Sequence, residues 1–181
     1  MGNYYCLMAG VPDLNLDDRG GNYTIDDFIG ECGEALSDSD KKLLFYFFLK
    51  YDCLNLVNLL QNPDAEIQPY GNYTIDQYHD LMTSAREMNF NVHRYPAFLS
   101  MFAREYSYNK GKAGYFPKDA IMKEYYEYAM KCPNRMISSW FKMNFDITNI
   151  LTAMIARKNG WNVGDYIVGD NEICEMIRMN N

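Results

Sequence analysis

Residues 37–62 read SDSDKKLLFYFFLKYDCLNLVNLLQN and contain the longest apolar run of the chain. The start from Ser37 to Asp40 is typical of a helix N-terminus, because Ser and Asp side chains accept hydrogen bonds from the first free amides. Nearly continuous apolar residues follow from Lys41 to Lys50, which predicts a helix buried on all sides. Tyr51-Asp52 interrupts the run, and the apolar spacing beyond it indicates a second helix that ends near Asn62.

The rest of the chain also favours helices over strands. The segment Thr74-Ile75-Asp76-Gln77 has the pattern of a capping box, and Thr24 begins a similar start. Pro96, Pro117 and Pro133 lie near predicted helix starts, where the missing amide costs nothing. Further helices are expected around residues 75–89, 96–107, 118–131, 135–144, 147–159 and 172–179. The predicted fold class is therefore all-α.

Composition excludes several classes of protein. The chain has 181 residues, of which 48% are hydrophobic, with 17 Lys and Arg against 24 Asp and Glu. The net charge of −7 argues against sequence-independent binding of nucleic acid, which depends on cations that neutralise phosphates. Charge is uneven, since residues 1–90 carry a net −10 and residues 91–181 a net +3. We predict an acidic first helical unit over 1–90 and a slightly basic second unit over 91–181.

Cysteine usage and the termini predict a cytoplasmic protein. The five cysteines are widely spaced and contain no C-x-x-C pair, so neither a disulfide framework nor a zinc site is expected. No apolar run approaches the roughly 20 residues of a membrane-spanning helix. There is no basic segment followed by an apolar one at the start, so secretion is not indicated.

Two sequence repeats stand out. The hexapeptide Gly21 to Asp26 recurs without change at Gly71 to Asp76, which is most simply one helix entry used twice. A looser pattern, aromatic-Asp-x-x-Asn-aliphatic, relates Tyr51–Leu56 to Phe145–Ile150 at an offset of 94 residues. Each copy of this looser pattern follows one predicted helix and begins another.

The looser repeat predicts two sharp helix joins. Asp is a good N-cap, and Asn three residues later lies on the same side of the first helical turn. We therefore expect Asp52 and Asp146 to begin helices, and Asn55 and Asn149 to bond locally or to a neighbouring segment. Direct contact of these residues with a partner is the alternative.

The segments around the looser repeat resemble the C-type (or d-type) subunit of V-type and archaeal-type ATPases. The closest copy is Asp146 to Ala153 followed by Ile155 to Gly160, and Tyr166 to Asp170 is similar to an aliphatic-Gly stretch of that family. The opening from Tyr4 to Leu14 resembles an uncharacterised bacterial family encoded beside V-type ATPase genes. The resemblance implies helical units related by an internal repeat, as in part of the funnel-shaped C-type subunit. Members of that family have three units, so with two joins the chain is either a fragment continuing past Asn181 or lacks a recognisable third unit.

The sequence predicts no catalytic residue, no cofactor and no metal site. Asp13-x-Asn15-x-Asp17 begins like a calcium loop but lacks its later glycine and glutamate. His79 and His93 have no partner at ligand spacing, and His79 is expected in solvent. An aromatic set at helical spacing is expected in the core rather than in a ligand pocket: Tyr125, Tyr126, Tyr128, Phe141 and Phe145.

The resemblance implies a non-catalytic coupling subunit of a V-type ATPase rotor. Such a subunit links the central stalk to the membrane ring, so central-stalk and ring subunits are the expected partners, without direct membrane insertion. The protein would be cytoplasmic and peripheral to the membrane through the complex. Asp52, Asn55, Asp146 and Asn149 would then maintain the wall of the socket that receives the stalk. A free-standing helical adaptor and a helical enzyme are the alternatives.

Overall fold

The computed structural model describes residues 4–12, 23–87 and 94–180, and these form helices without strands. Over these ranges the fold class is all-α, as predicted. The chain divides by its internal contacts into two compact units, Met1–Phe45 and Tyr46–Asn181. The predicted boundary at residues 90 and 91 lies outside the described residues and stays a prediction, as do the calcium-like loop at 13–17 and His93.

The first unit contains two short helices and the start of a long one. They are α1 (Tyr5–Gly10), α2 (Ile25–Ala35) and the first residues of α3 (Asp38–Gln61). Thr24 forms the expected cap of α2, since its hydroxyl accepts from the Asp27 amide and the Asp27 carboxylate accepts from the Thr24 amide. The hydroxyl of Tyr4 donates to the carboxylate of Asp40 in the first turn of α3.

The second unit contains the rest of α3 and five more α-helices within the described ranges. They are α4 (Ile75–Arg86), α5 (Ala97–Asn109), α6 (Pro117–Ala129), α7 (Arg135–Lys158) and α8 (Glu172–Met179), with a 3-10 turn at Val163–Asp165. Each helix from α4 to α7 packs on the next one along the chain. The capping box of α4 is confirmed, because Thr74 and Gln77 exchange side-chain-to-backbone hydrogen bonds.

The core of the second unit surrounds the second half of α3. Leu49, Cys53, Leu56 and Val57 have no exposed surface. The predicted aromatic core is confirmed for Tyr125, Tyr126, Phe141 and Phe145, which are buried, whereas Tyr128 is half-buried. The Tyr125 hydroxyl donates to the Tyr46 carbonyl at 3.1 Å. The prediction that the segment 41–50 is buried on all sides is wrong, since residues 43–48 are half-buried and Lys50 is exposed.

The predicted helix joins are wrong. Asp52 lies inside α3 and Asp146 inside α7, and each helix runs unbroken for 24 residues. Neither interruption contains a proline or glycine, so nothing in the backbone requires a break. Both carboxylates find hydrogen-bond donors from other segments and are not needed as caps.

The expectation that no segment suffices to cross a membrane is also wrong on length and composition. Among the described residues one helix, α3, is long and apolar enough to do so. A core helix meets the same criterion, and α3 has seven buried residues, among them Asp52 and Asn55. We therefore interpret α3 as the core helix of the second unit.

Replacement of Thr74 by Ala tests the capping box of α4. The substitution removes the acceptor of the Gln77 amide, so we expect a loss of about 1 kcal/mol in the free energy of unfolding. Urea denaturation followed by circular dichroism measures it. Thr83→Ala is the matched control, because Thr83 is exposed within the same helix and Ala is the better helix former there. Equal stability of the two variants would contradict the role of the cap.

Two buried polar clusters as a candidate functional site

Asn55 binds both backbone groups of one residue in the segment between α3 and α4. Its side-chain oxygen accepts from the Gln68 amide at 2.7 Å, and its Nδ2 donates to the Gln68 carbonyl at 3.0 Å. A side-chain amide offers one donor and one acceptor in a plane, so it pairs with a peptide as a second peptide would. Asn55 has no exposed surface and thereby fixes the segment on α3.

Asp52 lies one turn before Asn55 on the same face of α3 and binds the next part of that segment. Its carboxylate accepts from Nδ2 of Asn72 at 2.6 Å, from the Tyr73 amide at 3.2 Å and from the Tyr78 hydroxyl at 2.6 Å. Tyr78, on the first turn of α4, also accepts from Nδ2 of Asn55 at 3.3 Å. We call Asp52, Asn55, Gln68, Asn72, Tyr73 and Tyr78 the first polar cluster.

Burial dominates the electrostatics of the first polar cluster. Desolvation raises the pKa of Asp52, and the hydrogen bonds from Tyr78, Asn72 and Tyr73 oppose that rise. The pKa of Tyr78 is raised by burial and by the negative charge of Asp52, so its hydroxyl remains a donor. The described donors all point at the carboxylate, and Asp52 has no exposed surface from which a substrate could reach it.

Gly71 allows the segment to pass close to the first polar cluster. A Cβ atom at this position would lie 2.6 Å from Oδ1 of Asp52 and 2.8 Å from the hydroxyl oxygen of Tyr78. Both distances are shorter than atoms tolerate, so any side chain here would displace the carboxylate or the ring. The glycine is thus needed for the close approach of the backbone.

Asn149 in α7 repeats the geometry of Asn55. Its side-chain oxygen accepts from the Val168 amide at 3.0 Å, and its Nδ2 donates to the Val168 carbonyl at 3.0 Å. Nδ2 also contacts Sγ of Cys174 in the first turn of α8 at 3.5 Å, as Asn55 contacts Tyr78. The connecting segment between α7 and α8 is therefore held as the one between α3 and α4 is.

Asp146 in α7 holds the residue that caps α8. Its carboxylate accepts from Nδ2 of Asn171 at 2.7 Å, and Oδ1 of Asn171 accepts from the Cys174 amide at 2.9 Å. Burial raises the pKa of the Cys174 thiol, which donates to the Val168 carbonyl at 3.3 Å. We call Asp146, Asn149, Val168, Asn171 and Cys174 the second polar cluster.

Gly169 allows the segment between α7 and α8 to pass close to the Phe145 ring of α7. Gly169 has a φ of +88°, and a Cβ there would lie 2.6 Å from Cζ of Phe145. The left-handed backbone favours glycine, and the ring of Phe145 leaves no room for a side chain. Both polar clusters thus combine an Asp and an Asn on a long helix with a glycine in the following segment.

The sequence identified four members of these clusters and missed the rest. Asp52, Asn55, Asp146 and Asn149 were selected by the looser repeat, and each bonds the segment that follows its helix. Gln68 and Val168 could not be found from the sequence, because they contribute only backbone groups. The signal for Gly71 and Asn72 was the hexapeptide repeat, in which they are the first two residues.

Other candidate chemistry is sparse in the described part of the chain. No group of three metal-ligating side chains occurs there, and His79 is exposed as expected. A groove of about 350 Å³ lies beside α5, and its lining includes Arg86, Arg104 and Lys110 but no carboxylate among the described residues. The thiols of Cys32, Cys53, Cys132 and Cys174 are buried.

The fold and the two polar clusters define an all-α protein in which two long helices each fix the segment that follows them. Over residues 1–181 the chain matches the family described as a protein of unknown function (DUF2764), and it belongs to that family. No curated protein and no solved structure matches the chain. The resemblance to the C-type subunit of V-type ATPases stays a prediction.

Replacement of Asp52 by Asn tests the raised pKa of the buried carboxyl. Below about pH 3 the side chain is mostly protonated in both folded and unfolded chains. As the pH rises, the unfolded chain loses this proton first, so the stability of the wild type falls relative to Asp52→Asn until the folded-state pKa is passed. Urea unfolding at a series of pH values gives the difference. If the stability of the wild type instead rises with pH relative to Asp52→Asn, the hydrogen bonds lower the pKa of Asp52 by more than burial raises it.

Replacement of Gly71 by Ala tests the close approach of the backbone to the first polar cluster. The added methyl group must displace Asp52 or Tyr78, so we expect a loss of about 1–3 kcal/mol in the free energy of unfolding. Gly164→Ala is the matched control, because a Cβ there lies 3.6 Å from Oδ1 of Asn162, an ordinary contact. Thermal melting compares the two variants. The same melting temperature for both would refute the steric argument.

Proposed function

We propose that this chain is a non-catalytic coupling subunit of a V-type ATPase rotor, linking the central stalk to the membrane ring. One observation carries the proposal. The Asp-x-x-Asn residues on which the resemblance rests, Asp52 with Asn55 and Asp146 with Asn149, are the ones that bind the segment after each long helix. The shared motif therefore coincides with a specific piece of architecture and not with scattered surface positions.

A protein that couples the stalk to the ring must hold its shape while torque passes through it. Hydrogen bonds of the two polar clusters fix backbone segments at both their amide and carbonyl groups, which resists sliding in either direction. Fully partnered buried networks make a core more rigid and more specific. In the described residues every buried side-chain nitrogen and oxygen has a hydrogen-bond partner, which supports this role.

The chemistry of the clusters supports a structural role for their carboxylates. Asp52 is enclosed, and its described bonds all come from the chain itself. An enzyme that used this carboxyl would need a path for substrate, whereas the groove of about 350 Å³ beside α5 is lined by other residues, among them Arg86, Arg104 and Lys110. We propose further that α3 with its following segment and α7 with its following segment derive from one duplicated helical unit.

The second candidate function is a free-standing helical adaptor. It is favoured by α7, whose outer side exposes large apolar residues along its whole length. Exposed apolar area of this kind marks a surface for another protein. The adaptor and the rotor subunit both require such a surface, and they differ in the identity of the partner.

Co-purification from the native host tests the proposal. A tagged full-length chain, expressed at its normal level, is recovered after mild cross-linking and its partners are identified by mass spectrometry. We expect subunits of the central stalk and of the membrane ring together, in constant ratio to the tagged chain. A folded chain that recovers neither set contradicts the rotor assignment, and stable recovery of a different protein supports the adaptor.

A further inference from the structure

One face of α7 exposes six large apolar side chains in a regular row. They are Met136, Trp140, Met143, Ile147, Ile150 and Met154, each between 41% and 77% exposed. Successive members are four, three, four, three and four residues apart. We call these six residues the α7 row.

The α7 row lies on the side of the helix opposite its buried residues, and the ring of Trp140 also packs against the rings of Phe47 and Phe141. The buried face of the same helix contains Ile137, Phe141, Phe145, Asn149, Ala153 and Ala156. A helix that is apolar on both sides is usually buried on both sides, whereas here one side is open. Leu151 and Ile155 widen the exposed face next to the row and are each more than half exposed.

The spacing of the α7 row selects an α-helix as its partner. Alternating steps of three and four residues average 3.5, the period that keeps apolar residues in one seam between two helices. Side chains of a partner helix at the same spacing would insert between those of the row. A membrane surface requires a wide apolar face but no particular register along it.

The excess of cations in α7 favours a partner with negative charge. Within α7 four cations, Arg135, Lys142, Arg157 and Lys158, stand against one carboxylate, that of Asp146. Asp146 accepts a hydrogen bond from Asn171 and belongs to the second polar cluster. The neighbouring α8 adds Glu172 and Glu175 against Arg178, which reduces the excess of positive charge without cancelling it.

A second copy of this chain fits the row poorly. Two α7 helices packed side by side would bring like charges together at their ends in either orientation, because Arg135 lies at one end and Arg157 and Lys158 at the other. Like-charge contacts cost free energy and are a common means of excluding a wrong partner. An acidic helix would be attracted by the cations at the ends of α7, whereas a second copy of α7 would be repelled by them.

We propose that the α7 row binds an acidic amphipathic α-helix of a partner protein, with apolar residues at heptad spacing on one face and Glu or Asp beside them. This inference does not depend on the ATPase assignment, since it rests on the row and its charges alone. It also gives a role to the excess of positive charge in residues 91–181.

Trp140 provides a direct probe of the row. The chain has two tryptophans, so the full-length Trp161→Phe variant reports from Trp140 alone. Two synthetic peptides, each about three heptads long with Leu and Ile at the seam, carry either Glu or Lys at the flanking positions. We expect the Glu peptide to shift the emission of Trp140 and to bind at least about tenfold more tightly than the Lys peptide, with an affinity that falls as salt rises.

Two matched variants locate the binding. Ile150→Asp places a charge in the middle of the row and is expected to weaken the Glu peptide about tenfold or more. Met101→Asp introduces the same group at an exposed methionine of α5 and should leave binding unchanged. Circular dichroism of both variants shows that the fold is retained, since both side chains are exposed.

Four outcomes would overturn the proposal. They are equal affinity for the two peptides, equal loss in the two variants, a dimer by sedimentation that Ile150→Asp dissociates, and no peptide binding together with Ile150-dependent binding to vesicles of phosphatidylserine and phosphatidylcholine. The third outcome assigns the row to a second copy and the fourth to a membrane surface.

Discussion

The second unit depends on asparagine side chains that pair with a backbone peptide. Asn55 joins α3 to Gln68, and Asn149 joins α7 to Val168, each through one donated and one accepted hydrogen bond. A leucine of similar size in place of Asn55 would remove the partners of the Gln68 amide and carbonyl, at a cost of about 1–3 kcal/mol each. In place of Asn149 it would remove the partner of the Val168 amide, whereas the Val168 carbonyl would keep the Cys174 thiol. An aspartate could accept from the amide but would repel the carbonyl. Asn is the residue that satisfies both, so one peptide of each connecting segment is fixed by a single side chain.

The free-energy cost of burying the aspartate differs between the two polar clusters. Asp52 is enclosed, and among the described residues its charge is stabilised by the dipoles of Asn72, Tyr73 and Tyr78, while burial still raises its pKa. Asp146 is half-buried and accepts from Asn171. The same pattern of residues therefore serves in two environments, one dry and one partly hydrated. A bulky aromatic donor, Tyr78, accompanies the dry one, and a small thiol, Cys174, the other.

Much of the fold could be predicted because its signals are local. Thr74 with Gln77 and Thr24 with Asp27 form capping boxes within four residues, and Pro117 begins α6 by removing an amide that has no partner there. The environment of Asp52 could not be predicted in the same way. The neighbouring sequence predicts that Asp52 caps a helix, whereas its hydrogen-bond donors come from residues 20 to 26 positions away. The looser repeat found the right residues, but only the path of the chain shows what they bind.

The small size of α8 gives the second polar cluster a dynamic consequence. This helix has eight residues and one buried side chain, Cys174, and it is tied down by Arg178 to the carbonyls of Ile167 and Gly169 and by Arg157 to the carbonyl of Asn180. Few apolar contacts and many polar ones describe a segment that opens by itself, at a free energy below that of global unfolding. Amide hydrogen exchange in α8 would then proceed through local opening, while the amides of α3 around Leu56 exchange only when the whole unit unfolds. We therefore expect α8 to open far more often than the middle of α3, although both belong to the second unit.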